Sequence, residues 1–323
     1  MRRINHLLKR DRGAAAVMVG ILLVPLIGCL AIALDVGALY VERGQLQNGA
    51  DAAALAIAQE CAEDGVCNAP NSLASTFSDS NANDGAANNL VPSFPTSHTV
   101  VVSTSTLDAS TGDGAIRHPF AALLGIDQTT VHATATAEWG SPQASAIVLP
   151  IALSVCEFNA ALDGTLQLIR YDTNLSCKGP DGHPIPGGFG WLDRPGNGCE
   201  GYVDLVNSTA PSEPGNSYPG ACDATMSALE GTTVLIPIFD GAQSQSGPAK
   251  WYHIYAFAAF TVTGWKFSGG QSFPQVNIDP AAPKCTGNCR GIQGYFSHWA
   301  SLDSAGVELG GPDLGATVVR LID

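Results

Sequence analysis

The segment Cys285-Thr286-Gly287-Asn288-Cys289 holds two thiols at a spacing that metal sites use. Its neighbours include no second pair of thiols at that spacing and no histidine pair, so a disulfide is the better reading than zinc. Cys156, taken with His183, His253 or His298, has the residue types of a nucleophile and its base. A cysteine surrounded by other cysteines outside an oxidising boundary is more readily bridged than reactive. His253 and His298 lie in apolar, strand-like runs, where a structural histidine is the ordinary case. Asp79, Asn81 and Asn83 imitate the start of a calcium loop, but Asp84 stands where glycine is needed and Leu90 where glutamate is needed. Motifs for a serine hydrolase elbow, a zinc protease helix or a phosphate loop are absent. No catalytic residue, metal or cofactor is therefore assigned.

Nine cysteines are present. Cys29 falls in an apolar run and is expected to be unpaired. The other eight are Cys61, Cys67, Cys156, Cys177, Cys199, Cys222, Cys285 and Cys289, and an even set of this kind reads as a disulfide framework. Eight cysteines allow 105 connectivities. Proximity in sequence favours Cys61–Cys67, Cys156–Cys177, Cys199–Cys222 and Cys285–Cys289. The aromatic group Trp251, Tyr252, Tyr255, Phe257, Trp265, Phe267, Tyr295, Phe296 and Trp299 could form a carbohydrate platform. Strand alternation turns about half of them inward, so a sheet core is the simpler reading.

The elements that must carry these residues begin with a membrane segment. Ala14 to Leu34 is a run of 21 residues without a charge. As a helix it spans ~31 Å, the thickness of a hydrocarbon core. Arg2, Arg3, Lys9, Arg10 and Arg12 precede it and Asp35 follows, so the N-terminus is expected in the cytoplasm and the rest outside. Ala31-Ile32-Ala33 resembles a signal-peptidase site, but the apolar run is longer than the ~7–15 residues of a signal core and helix-forming sequence continues past it. An uncut anchor is expected. Beyond residue 12 the chain has 10 basic and 28 acidic residues, net −18. That balance excludes nucleic-acid binding by counterion release and argues against adhesion to an anionic bilayer surface.

Residues 36–60 continue the helix. Leu39, Leu46, Ala50, Ala53 and Ile57 recur at three- and four-residue spacings, a narrow stripe that a partner helix or the chain's own domain could cover. Residues 61–95, rich in Asn, Ser, Asp, Gly and Pro, read as mostly loop. Residues 98–106 and 129–139 read as strands, and 118–125 as a short helix ending at Gly125. From 146 onward, apolar β-rich runs alternate with Gly/Pro-rich loops, as in a sandwich or barrel-like fold. Pro150 and Pro237 suggest edges or bulges, and 251–267 is one long bent strand or two. The fold class is α+β, in four parts. These are a basic segment 1–13, a transmembrane helix 14–34, a helical rod with a small α+β module 35–140, and a disulfide-stabilised β domain 141–323.

The N-terminal stretch resembles TadE/TadG-like Flp (tight adherence) pilus-assembly proteins over about residues 10–58, and more weakly to 140. The shared features are Arg12-Gly13, Pro25, Asp35-Val36-Gly37, Tyr40, Arg43, Leu46-Gln47-Asn48 and the run Ala50-Asp51-Ala52-Ala53-Ala54-Leu55-Ala56. The resemblance implies a non-enzymatic membrane component that meets other pilus-assembly proteins through its N-terminal helix. In the pilin-like TadE branch, cleavage follows a glycine and a glutamate stands five residues on; here that position is Met18. A von Willebrand A module, common in the TadG-like branch, would need an Asp-x-Ser-x-Ser metal motif, and none follows the strand-like run 146–158. The resemblance therefore implies a TadG-like member without that module. The rival reading is an anchored binding module for a glycan, envelope polymer or host surface.

Overall fold

In a computed structural model the described residues are all of the chain except 1, 159–161, 173–176, 186, 195, 197, 214–217, 244–250, 268–275, 302–305 and 323. The side chains of residues 2–14, which include the basic cluster, and of Ala300 also lie outside the described set. The chain divides into two compact units, Met1–Ile57 with Ala69–Ala137 and Leu321–Asp323, and Ala58–Asn68 with Glu138–Arg320.

The first unit is built on α1, one helix from Arg2 to Asp64. Pro25 lies inside it without ending it, as membrane helices allow. A second helix, α2 (Pro70–Asn81), stands in the stretch that composition marks as loop. Its cause is positional. Pro70 starts it, where the missing N–H costs nothing, and Ala74 and Ser78 are buried on one face. Gly49 of α1 is what lets α2 approach: a Cβ there would stand 3.0 Å from the Ser78 Cα. Six strands follow, β1 (Ala87–Asn89), β2 (Ser93–Thr96), β3 (Thr99–Thr106), β4 (Ile116–Arg117), β5 (Gln128–Thr129) and β6 (His132–Gly140). The sheet runs β1-β3-β6 with β2 paired to β3, while β4 and β5 form a separate ribbon. Both long strands alternate strictly. Val100, Val102, Thr104 and Thr106 face inward from β3, and Ala133, Ala135 and Ala137 from β6. Leu46 of α1 packs with Ala87, Ala133 and Val131.

The second unit is β-rich, with β7 (Pro142–Ile147), β8 (Ile151–Ser154), β9 (Gln167–Arg170), β10 (Phe189–Trp191), β11 (Gly201–Asp204), β12 (Thr209–Pro211), the short helix α3 (Asp223–Leu229), β13 (Thr233–Gln243), β14 (Trp251–Lys266), β15 (Val276–Asn277), β16 (Gly291–Phe296), β17 (Trp299–Ser301), β18 (Glu308–Leu309), β19 (Asp313–Leu314) and β20 (Ala316–Ile322). The main sheet runs β10-β8-β13-β14-β16-β9, with β12, β15 and β19 also paired to β14, and β11-β7-β18 form a second sheet. The run 251–267 is thus one long strand, and it is the spine of the unit. The run 146–155 is broken around Pro150 into β7 and β8. Pro237 sits just before the β13–β8 ladder, which starts at Ile238, and register shifts follow it.

Those shifts leave Asp240 of β13 and Tyr255 of β14 without a register partner. The Tyr255 bulge exchanges the two faces of β14. Before it, Tyr252 and Ile254 join the core that holds Phe239 and Phe257; after it, Ala258, Phe260 and Val262 join the other core, with Trp265 and Phe296. Of the aromatics named above, Tyr252, Phe257, Trp265, Phe267 and Phe296 are buried, Trp251, Tyr295 and Trp299 are half-buried, and Tyr255 is exposed. Burial, with Tyr171 nearby, pushes the Tyr252 hydroxyl up to about 12.

Candidate functional site

The apolar half of α1 is long enough to cross a membrane, and none of its most apolar stretch is buried in the protein. Val17, Met18, Leu22, Leu30 and Leu34 are all exposed, and Cys29 is free and exposed. At Asp35 the helix changes character. Asp35 is 5% exposed, and its Oδ2 accepts the backbone N–H of Phe120 at 3.1 Å and of Ala121 at 2.6 Å. Polar contacts to the module recur ten residues further along α1. Gln45 Oε1 accepts the Asn83 N–H at 2.8 Å, Thr104 Oγ1 donates to the Leu46 carbonyl at 3.1 Å, and Gln47 Nε2 donates to the Thr134 carbonyl at 3.2 Å.

The stripe on the outer half is covered within the chain itself. Leu46 is 3% exposed, Ala50, Ala53 and Ile57 are 0% exposed, and Leu39 is half-buried. Leu46 packs on Ala87 and Ala133 of the sheet, and Ala50, Ala53 and Ile57 are buried within the chain's own fold.

The eight further cysteines form Cys61–Cys67, Cys156–Cys177, Cys199–Cys222 and Cys285–Cys289, each joining neighbours in sequence. Bridges of this kind stabilise by about 2–4 kcal/mol each. Cys156 therefore has no free thiolate to offer His183 or His253, and the Cys285–Cys289 thiols are not available to zinc. Among the described residues no three His, Cys, Asp or Glu side chains gather as a metal site. Asp79 and Asn81 belong to the end of α2, where Asp79 Oδ1 accepts the Ala87 N–H at 2.9 Å and Asn81 Nδ2 donates to the Phe77 carbonyl at 2.8 Å.

The second unit does bring polar groups together in one place. The bulge at Asp240 turns its carboxylate onto His253 Nδ1, from the facing strand. The pair lines an open cleft of about 770 Å³ together with Trp251, Gln243, His183 and Asp181. Gln243 Oε1 accepts the Trp251 indole N–H at 2.7 Å. The Asp181 carboxyl is held below its ordinary range, chiefly by the backbone N–H of His183, which it accepts at 2.9 Å. An aspartate-oriented histidine is half of a nucleophilic site. The other described lining side chains include carboxylate, imidazole, amide and indole groups, which can hydrogen-bond or stack on a polar ligand. His298 is exposed and lines no part of it. Asp240 escaped the sequence reading because only a register shift brings it to His253. Asp35 was legible as the charge ending the apolar run, but not as a ligand for amides 85 residues away.

No curated protein and no solved structure matches the chain. Residues 13–60 match the family model described as "Putative Flp pilus-assembly TadE/G-like". The matched segment covers both halves of the long helix, from the exposed apolar stretch to the buried stripe, so over residues 13–60 this chain is similar to TadE/G-like Flp pilus-assembly proteins.

Proposed function

We propose that the protein is a non-enzymatic, membrane-anchored accessory component of a Tad-type Flp pilus assembly or secretion apparatus, of the TadG-like branch and without a von Willebrand A module. The observation that carries this reading is the coincidence of the family match at 13–60 with a helix that is apolar and exposed in one half and built into a module in the other. The helix stays uncut in the cytoplasmic membrane, with the N-terminus in the cytoplasm and the β-rich unit outside it. The basic cluster before the helix supports that orientation, and four disulfides suit an oxidising compartment. Met18 supports the non-pilin branch, since a thioether cannot pair with a neighbour's new N-terminal amine. Partners in the apparatus meet the exposed apolar face of α1.

Deleting the gene in its host and counting surface Flp filaments tests the role. Filaments should be lost, return with the full chain, and fail to return with a chain lacking residues 14–34. Unchanged filament number in the deletion strain would sink the proposal. The intact mass of the purified protein decides the branch: a mass beginning at Ala14 would place the chain with processed pilins.

The cleft at Asp240 and His253 supports a second reading, an anchored binding module. Its half-buried indole beside carboxylate, imidazole and amide groups has the chemistry of a saccharide site. Binding of envelope glycans by the full chain, abolished by Trp251→Ala, would favour it.

A further inference from the structure

The ribbon β4–β5 ends in a tip that has no counterpart in the anchor reading so far. Residues 119–126, Pro-Phe-Ala-Ala-Leu-Leu-Gly-Ile, contain no charged or polar side chain. The neck is closed by the His118 N–H on the Asp127 carbonyl at 2.9 Å, and by the buried His118 ring, whose Nε2 meets Thr129 Oγ1 at 2.8 Å. Within the tip a single 3-10 turn, Ala121–Leu124, ends at Gly125, whose φ of 84° a side-chain-bearing residue adopts only with strain. This turn points its apolar side chains away from the protein. Leu123 is 87% exposed, Leu124 68%, Ile126 54% and Phe120 40%.

A soluble domain does not gather four such side chains in seven residues without a use for them. Their position along α1 identifies that use. The Phe120 and Ala121 amides are bonded to Asp35, the first charged residue after the uncharged run, so the tip is fixed at the level where the apolar helix leaves the bilayer. On the same stretch of α1, Val36, Tyr40 and Val41 are exposed, and a tyrosine just past the hydrocarbon edge is typical of the interfacial belt. We infer that the 119–126 tip is a second membrane contact: Phe120, Leu123, Leu124 and Ile126 insert into the acyl–headgroup boundary of the lipid bilayer beside the transmembrane helix. The inference rests on α1 being the anchor. The Asp35 carboxylate joins the two contacts, satisfying backbone amides that would otherwise face lipid unpaired. The tip carries no basic residue, so the contact is apolar and indifferent to headgroup charge. It orients the module at the membrane, where one helix alone would leave it free to rotate and tilt.

Spin-label accessibility on the full chain tests this. In a Cys29→Ser background with the native disulfides intact, a nitroxide is placed through Leu123→Cys, Leu22→Cys or Val206→Cys, and each protein is put into phosphatidylcholine nanodiscs. The label at 22 should be relaxed by oxygen and shielded from a water-soluble nickel complex. The label at 206, on an exposed residue of the second unit, should show the reverse. The label at 123 should follow 22, with nickel accessibility at least several-fold below that of 206. If 22 is shielded and 123 behaves like 206, the anchor stands and the lipid contact is overturned, leaving the tip as a surface for a protein partner. If 22 is itself accessible to nickel, both readings fall. Adding Asp35→Ala to the label at 123 should raise its nickel accessibility; no change would refute the tether.

Discussion

One helix, two environments: residues 15–34 of α1 are apolar on every side and all but Ala31 are exposed, whereas in residues 46–58 one face, with Leu46, Ala50, Ala53, Ala54, Ile57 and Ala58, is buried in the protein. The backbone geometry is the same in both halves. What differs is the solvent each half is built for. An all-round apolar surface is satisfied by lipid, which is as apolar as the side chains themselves. A stripe of Leu, Ala and Ile is satisfied by burial within the chain's own fold, where Leu46 meets Ala87 and Ala133 of the sheet. The TadE/G-like match at 13–60 spans both.

The same substitution placed in each half should break different things. Ile57→Asp puts an unpaired charge at a fully buried position and should cost about 3–5 kcal/mol, read as a large fall in Tm by circular dichroism of the detergent-solubilised chain, with membrane fractionation unchanged. Leu22→Asp should leave folding of the outer units intact. It should instead cost about 2.5–3.5 kcal/mol of insertion, read as a shift of the protein out of the membrane pellet. If Ile57→Asp is tolerated, or Leu22→Asp unfolds the module, the two halves are not what their burial says.

At the join, Asp35→Ala removes two charge-assisted hydrogen bonds and leaves the Phe120 and Ala121 amides unpaired, at a cost of about 1.5–3 kcal/mol in chemical denaturation. The glycines sharpen the contrast further. Gly49→Ala forces a Cβ to 3.0 Å from the Ser78 backbone and should destabilise by about 1–3 kcal/mol. Gly28→Ala meets nothing within 4 Å and should be neutral or raise helix stability by up to about 1 kcal/mol. Opposite signs in thermal unfolding are the expected result. The smallest effect concerns Glu42, just past the join. Burial raises its carboxyl above the ordinary value; the Thr106 hydroxyl opposes this and Asp84 adds to it. The folded state then holds that proton more tightly than the unfolded one. Its contribution is therefore present at low pH and is lost as pH rises above about 4.5 towards the raised value. The difference in Tm between wild type and Glu42→Gln should grow in the variant's favour over that range, and a flat difference would reject it.

Much of this architecture could be read before any coordinates. The apolar run, its charged ends and the helix-forming sequence beyond it depend on local composition and 3.6-residue spacing, which tertiary contacts do not alter. The β-rich character of the region after 140 was equally plain from its short apolar runs and turn residues. The helix α2 was not, because Ser, Asn and Asp favour loops in isolation. Only the close approach that Gly49 allows, with Ala74 and Ser78 turned inward, makes that segment helical. The cleft was hidden for a related reason. Strand periodicity assigns Asp240 and His253 to faces, but two adjacent bulges reset the register, and no local pattern announces them.

The sequence by itself therefore determined which segment is long and apolar enough to cross a membrane, that its helix continues past Asp35, and that its thiols are numerous enough to staple a β-rich region. Each of these follows from side-chain transfer energies and short-range spacing. Tertiary structure alone decided which face of the outer helix is covered, which carboxylate meets which histidine, and that Asp35 holds a loop 85 residues away. Those outcomes depend on pairing between distant segments, and the chain specifies them only when the whole fold is in place.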